Sequence, residues 1–328
     1  MTLDLEKALV IGIASSALFD LSESNEVFKL QGKKAYREFQ ERRIDEPFTT
    51  GVAFPFIRRL LSLNELSDDD TPLVEVIILS KNDPDTGLRL MRSIQHHQLN
   101  ITRAVFKEGR APYEYMKPLK MALFLSANEI DVQNAVKDKF PAGQVLEGNI
   151  VEDPLDQDLR VSFDFDGVLG DDSSERLFGE GNLEIFQAHE LEKRSMPMLP
   201  GPLRDLLSGI NRIQHIEDEK VRNDQTYRKR VYVSLVTARN APAHERAVKS
   251  LEAWGVTVND AFFLGGIPKA GILEVLKPHI YFDDQKRHLD PSSNFIPSVH
   301  VPFGYRNIAL QSNTSDAIEE ETNDPPVK

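Results

Sequence analysis

Residues 160–175 read RVSFDFDGVLGDDSSE, and the interpretation of the whole chain starts from this stretch. A β-rich apolar run ends there in Asp164, Phe165 and Asp166, followed by Gly167. Two carboxylates spaced two residues apart share one face of a strand, and α/β sheets place their sites at the carboxyl ends of strands. Because Gly167 permits a sharp turn, we expect both carboxylates to converge on one metal ion or substrate.

Six apolar runs of strand length alternate with segments of helical length along the chain. Helical periodicity over 86–95 and 243–251 supports this alternation. Short β-branched runs separated by helices predict βαβ units and a parallel sheet, so the expected fold class is α/β. The predicted strands are Ala8–Ile13, Val74–Leu79, Met121–Leu125, Leu159–Phe165, Val231–Val236 and His279–Phe282.

Three features after the paired carboxylates fit the same chemistry. The hydroxyl of Thr237 ends an apolar strand and is followed by backbone amides from Ala238 onward, which suits a phosphate oxygen; a helix-capping Thr is the alternative. Lys269 follows a Gly-rich turn and can neutralise phosphate charge, or it is simply a surface lysine. Asp283 and Asp284 end a further strand. Such hard oxygen donors, without Cys or clustered His, indicate Mg²⁺ rather than zinc.

Composition narrows the classes of function. The chain has 39 Lys and Arg against 52 Asp and Glu, a formal net charge of −13, which argues against a polymeric nucleic acid as partner. A small anionic substrate stays compatible, because a metal ion inverts the local charge. The absence of cysteine excludes disulfides, iron–sulfur clusters and thiol nucleophiles. No apolar run approaches ~18 residues and residues 1–21 lack the basic start of a secretory signal, so we expect a cytoplasmic protein without a membrane partner.

The order of these segments is repeated within the chain. Residues 74–109 align without a gap on 231–266 at an offset of 157 (231 − 74), and the first strands match at an offset of 151 (164 − 13). This predicts two Rossmann-like parallel-sheet halves related by internal duplication, although any two βαβ segments align to some degree. We expect the first half to be non-catalytic, because the positions of the six candidate residues hold Ile13, Ser15, Ser80, Pro112, Ser126 and Ala127.

The chain divides into four predicted regions. A degenerate α/β half spans 1–142, a polar and acidic linker spans 143–158, and the half with the paired carboxylates spans 159–310. Residues 311–328 are acidic with little to bury, which predicts a disordered tail. Small polar residues at the strand ends of the first half suggest a second pocket for a nucleoside or a regulatory nucleotide, or else a scaffold that only packs; they are Ser15, Ser80, Lys81, Asn82, Ser126 and Asn128.

This order of motifs resembles the haloacid dehalogenase superfamily of phosphatases over about residues 159–290. A wider resemblance, covering most of the chain, is to the cytosolic 5′-nucleotidase I family. The segments that carry it are ALVIGIASSALFDL (8–21), VIILSKNDPDTGLRLMRSI (76–94), ALFLSAN (122–128), FDFDGVLGDDSSERLF (163–178), LPGPLRDLL (199–207) and HVPFGYRN (300–307).

The resemblance implies a role for each candidate residue. Asp164 would be the nucleophile that forms an aspartyl-phosphate, and Asp166 would protonate the leaving oxygen and then activate water. Mg²⁺ would be held by Asp164, the backbone carbonyl of Asp166 and Asp283, with Asp284 close by. The phosphoryl group would be bound by Thr237 and Lys269.

The superfamily places a cap between the first two motifs, which here corresponds to a small helical insertion over 172–230. Many members also have an acid three to five residues after the last Asp pair, whereas this chain has Gln285, Lys286, Arg287 and His288 before its next acid, Asp290. The side chain that completes the metal shell is therefore left open.

We expect a Mg²⁺-dependent 5′-nucleotidase that hydrolyses nucleoside 5′-monophosphates, with a homo-oligomer as a further partner to consider. Two alternatives stay open. One is a phosphatase or phosphotransferase for another small phosphomonoester. The other is a nucleotide-sensing binding protein in which catalysis is vestigial.

Overall fold

A computed structural model describes residues 4–69, 71–148, 150, 153, 155–174, 183–304 and 307. The strands in these residues are β1 (Leu9–Ile13), β2 (Val74–Ser80), β3 (Arg103–Phe106), β4 (Met121–Ser126), β5 (Ala142–Val145), β6 (Leu159–Phe163), β7 (Val231–Thr237), β8 (Asp260–Phe263), β9 (Ile280–Asp283) and β10 (Ser298–His300). They form one sheet in the order β3-β2-β1-β4-β5-β10-β9-β6-β7-β8. Neighbouring strands are parallel except β5 and β10, which run antiparallel.

Helices connect the strands of each half. The α-helices of the described residues are α1 (Ser15–Leu18), α2 (Ser22–Arg42), α3 (Phe54–Ser62), α4 (Pro84–His96), α5 (Glu129–Lys137), α6 (Leu183–Glu192), α7 (Arg204–Asn223), α8 (His244–Trp254), α9 (Lys269–Leu276) and α10 (Lys286–Leu289). Short 3₁₀ helices span Leu63–Leu66 and Tyr113–Tyr115. No helix in the described part of the chain has the length and apolar character that a membrane crossing needs.

The α/β prediction with a mostly parallel sheet is confirmed, and the six predicted strands correspond to β1, β2, β4, β6, β7 and β9. Every residue of β1 and β2 is buried. Strands that are buried along their whole length and are mostly apolar arise because helices cover both faces of a parallel sheet. The predicted helices at 86–95 and 243–251 lie within α4 and α8.

The two halves have the same strand order when each is counted from its outer edge. That order is β3-β2-β1-β4-β5 in the first half and β8-β7-β6-β9-β10 in the second. The predicted offset of 151 for the first strands is wrong by one residue. Ile13 lies opposite Ile78 and Phe163 lies opposite Leu235, so Ala14 corresponds to Asp164. Ser16 then takes the position of Asp166, and the first half still has no carboxylate at either place.

Parts of the predicted insertion and tail lie outside the described residues. These are 175–182 of the insertion and the whole of 311–328. Later in the insertion, α7 packs on the face of the sheet against β1, β4 and β7. Of the described insertion helices, it is therefore α6 that remains near the edge where the candidate acids lie.

Arg59 of α3 ties the segment between the halves to the first half. Its guanidinium, 4% exposed, donates to the backbone carbonyls of Asp153, Asp156 and Asp158. In the same predicted linker, residues 143–145 form most of β5, which pairs with β10 near the end of the chain. The connection is thus held by hydrogen bonds on both sides.

Replacing Arg59 by Met should lower the free energy of unfolding by about 2–4 kcal/mol, because three carbonyl groups lose their charged donor. Urea unfolding followed by circular dichroism measures the change. Arg92→Met is the matched control, since Arg92 forms an exposed pair with Asp45 and should change the free energy by less than about 0.5 kcal/mol. Equal effects of the two substitutions would contradict the anchoring role.

Candidate active site

The carboxyl ends of three neighbouring strands bring the candidate residues together. In the sheet β6 lies between β7 and β9; Asp164 follows β6, whereas Thr237 and Asp283 are the last residues of β7 and β9. Lys269 begins α9, just after β8. Parallel strands end at one edge, so residues far apart in sequence meet there. The structure therefore places Asp164, Thr237, Lys269 and Asp283 in one site.

A buried lysine joins two buried carboxylates at this edge. Lys269 Nζ lies 2.9 Å from Asp164 Oδ2 and 2.7 Å from Asp283 Oδ2. Burial raises the pKa of the Asp164 carboxyl to about 6, against the opposing effect of Lys269. Burial alone would also raise the pKa of Asp283, but Lys269 and then His288 bring it below its usual range. When both carboxylates are ionised, Lys269 neutralises only one of their two negative charges, so the site can accommodate a further positive charge.

Asp283 has a full set of partners in addition to Lys269. Its Oδ2 accepts a hydrogen bond from the Tyr281 hydroxyl, and its Oδ1 accepts one from the Gln285 backbone amide at 2.8 Å. His288 Nδ1 lies 3.3 Å from both oxygens. Donor atoms of Asp164, Asp283 and His288 all lie within 4.8 Å of one another, a grouping that could hold a metal ion.

Asp284 approaches the turn that follows the paired carboxylates. Gly167 has a φ of 73°, which a residue with a side chain adopts only with strain. A Cβ built on Gly167 would lie 2.9 Å from Asp284 Oδ2. The glycine is therefore needed both for the turn and for the space that the Asp284 side chain occupies beside Gly167.

Asp166 is held by an arginine that the sequence analysis did not single out. Arg239 Nε and Nη2 donate to Asp166 Oδ2 and Oδ1, each at 2.7 Å. Arg239 is 3% exposed, and its Nη1 lies 2.5 Å from Glu190 Oε2 on α6. Burial alone would lower the pKa of Arg239, but Asp166 and then Glu190 raise it. The guanidinium thus bridges the second carboxylate and the insertion.

Glu190 in turn is fixed on its other side. Its Oε1 accepts hydrogen bonds from Arg246 Nη1 at 2.7 Å and from the Ser174 hydroxyl at 2.7 Å. Burial would raise the pKa of Glu190, but Arg239 and its other partners lower it on balance. The two arginines and two carboxylates alternate in charge. The sequence analysis singled out Asp166 but missed Arg239, Glu190 and Arg246, because the partners are 49 to 73 residues apart.

A cavity of about 630 Å³ opens onto these groups. Arg239 contributes to its wall together with apolar side chains from α6 and from the loop before α9. The Thr237 hydroxyl accepts a hydrogen bond from the Arg239 backbone amide at 3.2 Å, so it shapes the turn after β7 as well as facing the cavity. The lining includes Asp164, Asp166, Phe186, Thr237, Ala238, Ile267, Pro268, Lys269, Arg287 and His288.

The candidate residues of the first half make hydrogen bonds typical of turns and helix caps. The Ser80 and Ser126 hydroxyls accept from the backbone amides of Asn82 and Asn128, each at 3.1 Å. The Asn128 side chain caps α5, and Lys81 pairs with Asp131 of that helix. Ser15 is buried in the first turn of α1. These contacts account for the polar residues as scaffold, and a second pocket stays a prediction.

The fold and the site together define an α/β protein with a carboxylate-rich edge suited to handling a small anionic substrate beside a metal ion. A family model described as 5′-nucleotidase matches residues 1–308, and the chain belongs to that family. It is 31% identical to human cytosolic 5′-nucleotidase 1B over 294 residues, which are 87% of this chain and 47% of that protein. The chain therefore spans about half the length of this relative. The family resemblance drawn from the sequence motifs is confirmed.

Proposed function

We propose that this chain hydrolyses nucleoside 5′-monophosphates to nucleoside and inorganic phosphate. One observation carries the proposal: the buried Lys269 ammonium joins Asp164 to Asp283 at a cavity that also holds Asp166. Family membership supports the reaction class, and the relative's name supports a nucleotide substrate. The substrate phosphate would enter the cavity beside Asp164, where Thr237 and Ala238 line the wall.

The proposed chemistry uses the two carboxylates in different roles. In the first step an Asp164 oxygen bonds to phosphorus, the bond from phosphorus to the ribose O5′ breaks, and Asp166 transfers a proton to O5′. In the second step water attacks phosphorus and gives a proton to Asp166, while the bond between Asp164 and phosphorus breaks. Lys269 reduces the repulsion between Asp164 and the anionic phosphate in both steps.

The donor atoms at this edge fit Mg²⁺, because they are carboxylate and carbonyl oxygens. We assign Asp164, the Asp166 backbone carbonyl and Asp284 as its ligands. Asp283 is a weaker candidate, since its oxygens are already occupied by Lys269, Tyr281 and the backbone that follows. The resemblance implied the opposite preference, with Asp283 as a ligand of the ion and Asp284 only close by. When bound, the ion would neutralise phosphate charge and stabilise the transition state.

The nucleoside is proposed to occupy the apolar part of the cavity. Phe186 of α6, Ile267 and Pro268 line this space, and an aromatic ring offers a base a stacking surface. Here α6 would act as the cap, because its Phe186 lines the same cavity as Asp164 and Asp166 and would keep bulk water from the phosphorylated Asp164.

Equivalent contacts in the two halves support internal duplication. Arg89 Nη1 donates to Gln40 at 3.0 Å, as Arg246 Nη1 does to Glu190 at 2.7 Å. The Phe48 amide donates to Ser93 at 3.0 Å, as the Met198 amide does to Ser250 at 2.9 Å. We propose that one α/β unit was duplicated and that only the second copy kept the catalytic carboxylates. A cytosolic location, a regulatory nucleotide and a homo-oligomer stay predictions.

Phosphate release from a panel of nucleoside 5′-monophosphates tests the proposal. We expect release in the presence of Mg²⁺ and a fall of about 10³-fold or more after chelation, because the ion offsets several kcal/mol of charge repulsion. Restoring Mg²⁺ should restore the rate. Added nucleoside, tested as an acceptor, separates hydrolysis from phosphoryl transfer. Absence of phosphate release from every nucleotide, with a folded protein, would contradict the proposed function.

A further inference from the structure

The contact between Arg239 and Asp166 fixes the orientation of the Asp166 carboxylate. The proposed proton transfer requires this carboxylate to point at the leaving oxygen. Two parallel N–H···O bonds from one guanidinium hold both oxygens and therefore the plane of the carboxyl group. Each carboxylate oxygen keeps a further lone pair, so Asp166 can still exchange a proton with a substrate oxygen. Rotation of the carboxyl group, by contrast, requires breaking both hydrogen bonds from Arg239.

Arg239 is itself held in place from the insertion. Its Nη1 contacts Glu190 Oε2 of α6 and donates to the Ala243 carbonyl at 3.1 Å. Glu190 is fully buried and fixed by Arg246 and Ser174. The aim of Asp166 thus depends on a chain of buried ion pairs that reaches α6.

Comparison with the first half shows which of these buried contacts are needed only for packing. Arg89 and Gln40 occupy the positions of Arg246 and Glu190, and Arg89 Nε donates to the Glu46 carbonyl as Arg246 Nε does to the Met196 carbonyl. The same packing is therefore achieved there by a neutral glutamine. Asn82 stands at the position of Arg239. The extra charges occur only in the half that has the catalytic carboxylates.

We propose that Arg239 is a positioning residue that aims Asp166 at the leaving oxygen, and that the charge of Glu190 holds Arg239 in that position. The inference rests on the proposed function, in which Asp166 gives its proton to the leaving oxygen as the bond to phosphorus breaks. The proposal gives α6 a second role besides lining the cavity. A displacement of this helix would move Glu190 and Arg239, and the Asp166 carboxyl group would lose its fixed orientation.

Arg239→Lys and Glu190→Gln test the inference on two substrates. A nucleoside 5′-monophosphate has an alkoxide leaving group that needs a proton, whereas p-nitrophenyl phosphate has a leaving group stable without one. We expect Arg239→Lys to lower kcat for the nucleotide by about 10²-fold and for the aryl phosphate by less than about 5-fold. KM should change by less than about 3-fold, because substrate binding is retained. Glu190→Gln should have the same selectivity with a loss of about 10-fold.

Arg89→Lys is the matched control, because Arg89 is the counterpart of Arg246 in the first half and contacts Gln40 instead of a charged partner. Its loss should lower the two rates equally or not at all. Glu190→Gln keeps the test valid if Arg239→Lys fails to fold, since the first half already accommodates Gln40 in the equivalent place. Equal losses on both substrates would overturn the positioning role and leave the proposed function intact. Failure of the unaltered protein to act on either substrate would overturn both.

Discussion

Asp164→Asn should abolish phosphate release, with a fall in kcat of about 10⁴-fold or more. An amide oxygen is a poor nucleophile and carries no charge, so the bond to phosphorus does not form. The substitution preserves the size of the side chain. The Phe165 backbone amide donates a hydrogen bond to Asp164 Oδ1 at 2.7 Å, and an Asn side-chain oxygen can still accept it. Single-turnover phosphate release, measured with excess protein, detects any residual chemistry.

Ligand binding separates this prediction from a sensor with vestigial catalysis. Lys269, Thr237 and the cavity wall remain in Asp164→Asn, so calorimetry should still detect nucleoside monophosphate binding. Asp260→Asn is the matched control, because Asp260 is exposed at the start of β8, at the opposite edge of the sheet, and its loss should leave kcat within about 2-fold. Turnover in Asp164→Asn comparable to that of this control would disprove the nucleophile assignment.

The residues of the site that could be predicted from the sequence are those that end long apolar runs. Asp164, Thr237 and Asp283 follow runs whose strand character is local, and parallel strands bring their ends to one edge whatever the loops between them. Lys269 was indicated by its Gly-rich turn. The order of these residues along the chain was therefore enough to predict most of the candidate site.

What the sequence did not reveal depends on contacts between distant segments. Arg239 directly follows a predicted phosphate-binding pair, but its partners Asp166 and Glu190 lie on other elements. The strands β5 and β10 are only four and three residues long, and their pairing joins the two halves. The one-residue error at Ala14 arose because the alignment was made without knowing which residues pair across the sheet.

Lys269→Met should remove both activity and a large part of the stability. The ammonium lies between two buried carboxylates, and removal of one partner from such a group costs about 3–5 kcal/mol of unfolding free energy. The rate of phosphate release should fall by about 10³-fold, because the phosphate then meets uncompensated negative charge. Chemical unfolding at two pH values and phosphate release measure the two effects.

The pH dependence of Lys269→Met tests the electrostatic origin of its loss. Without the ammonium, Asp164 and Asp283 repel each other, so their folded-state pKa values rise above those of the unfolded chain. Folding then takes up protons, and the stability deficit should be larger at pH 8 than at pH 5. Lys249→Met is the control, since Lys249 pairs with Glu252 on the exposed face of α8 and should show no such dependence. A deficit that is the same at both pH values would mean that lost packing, rather than lost charge, destabilises the variant.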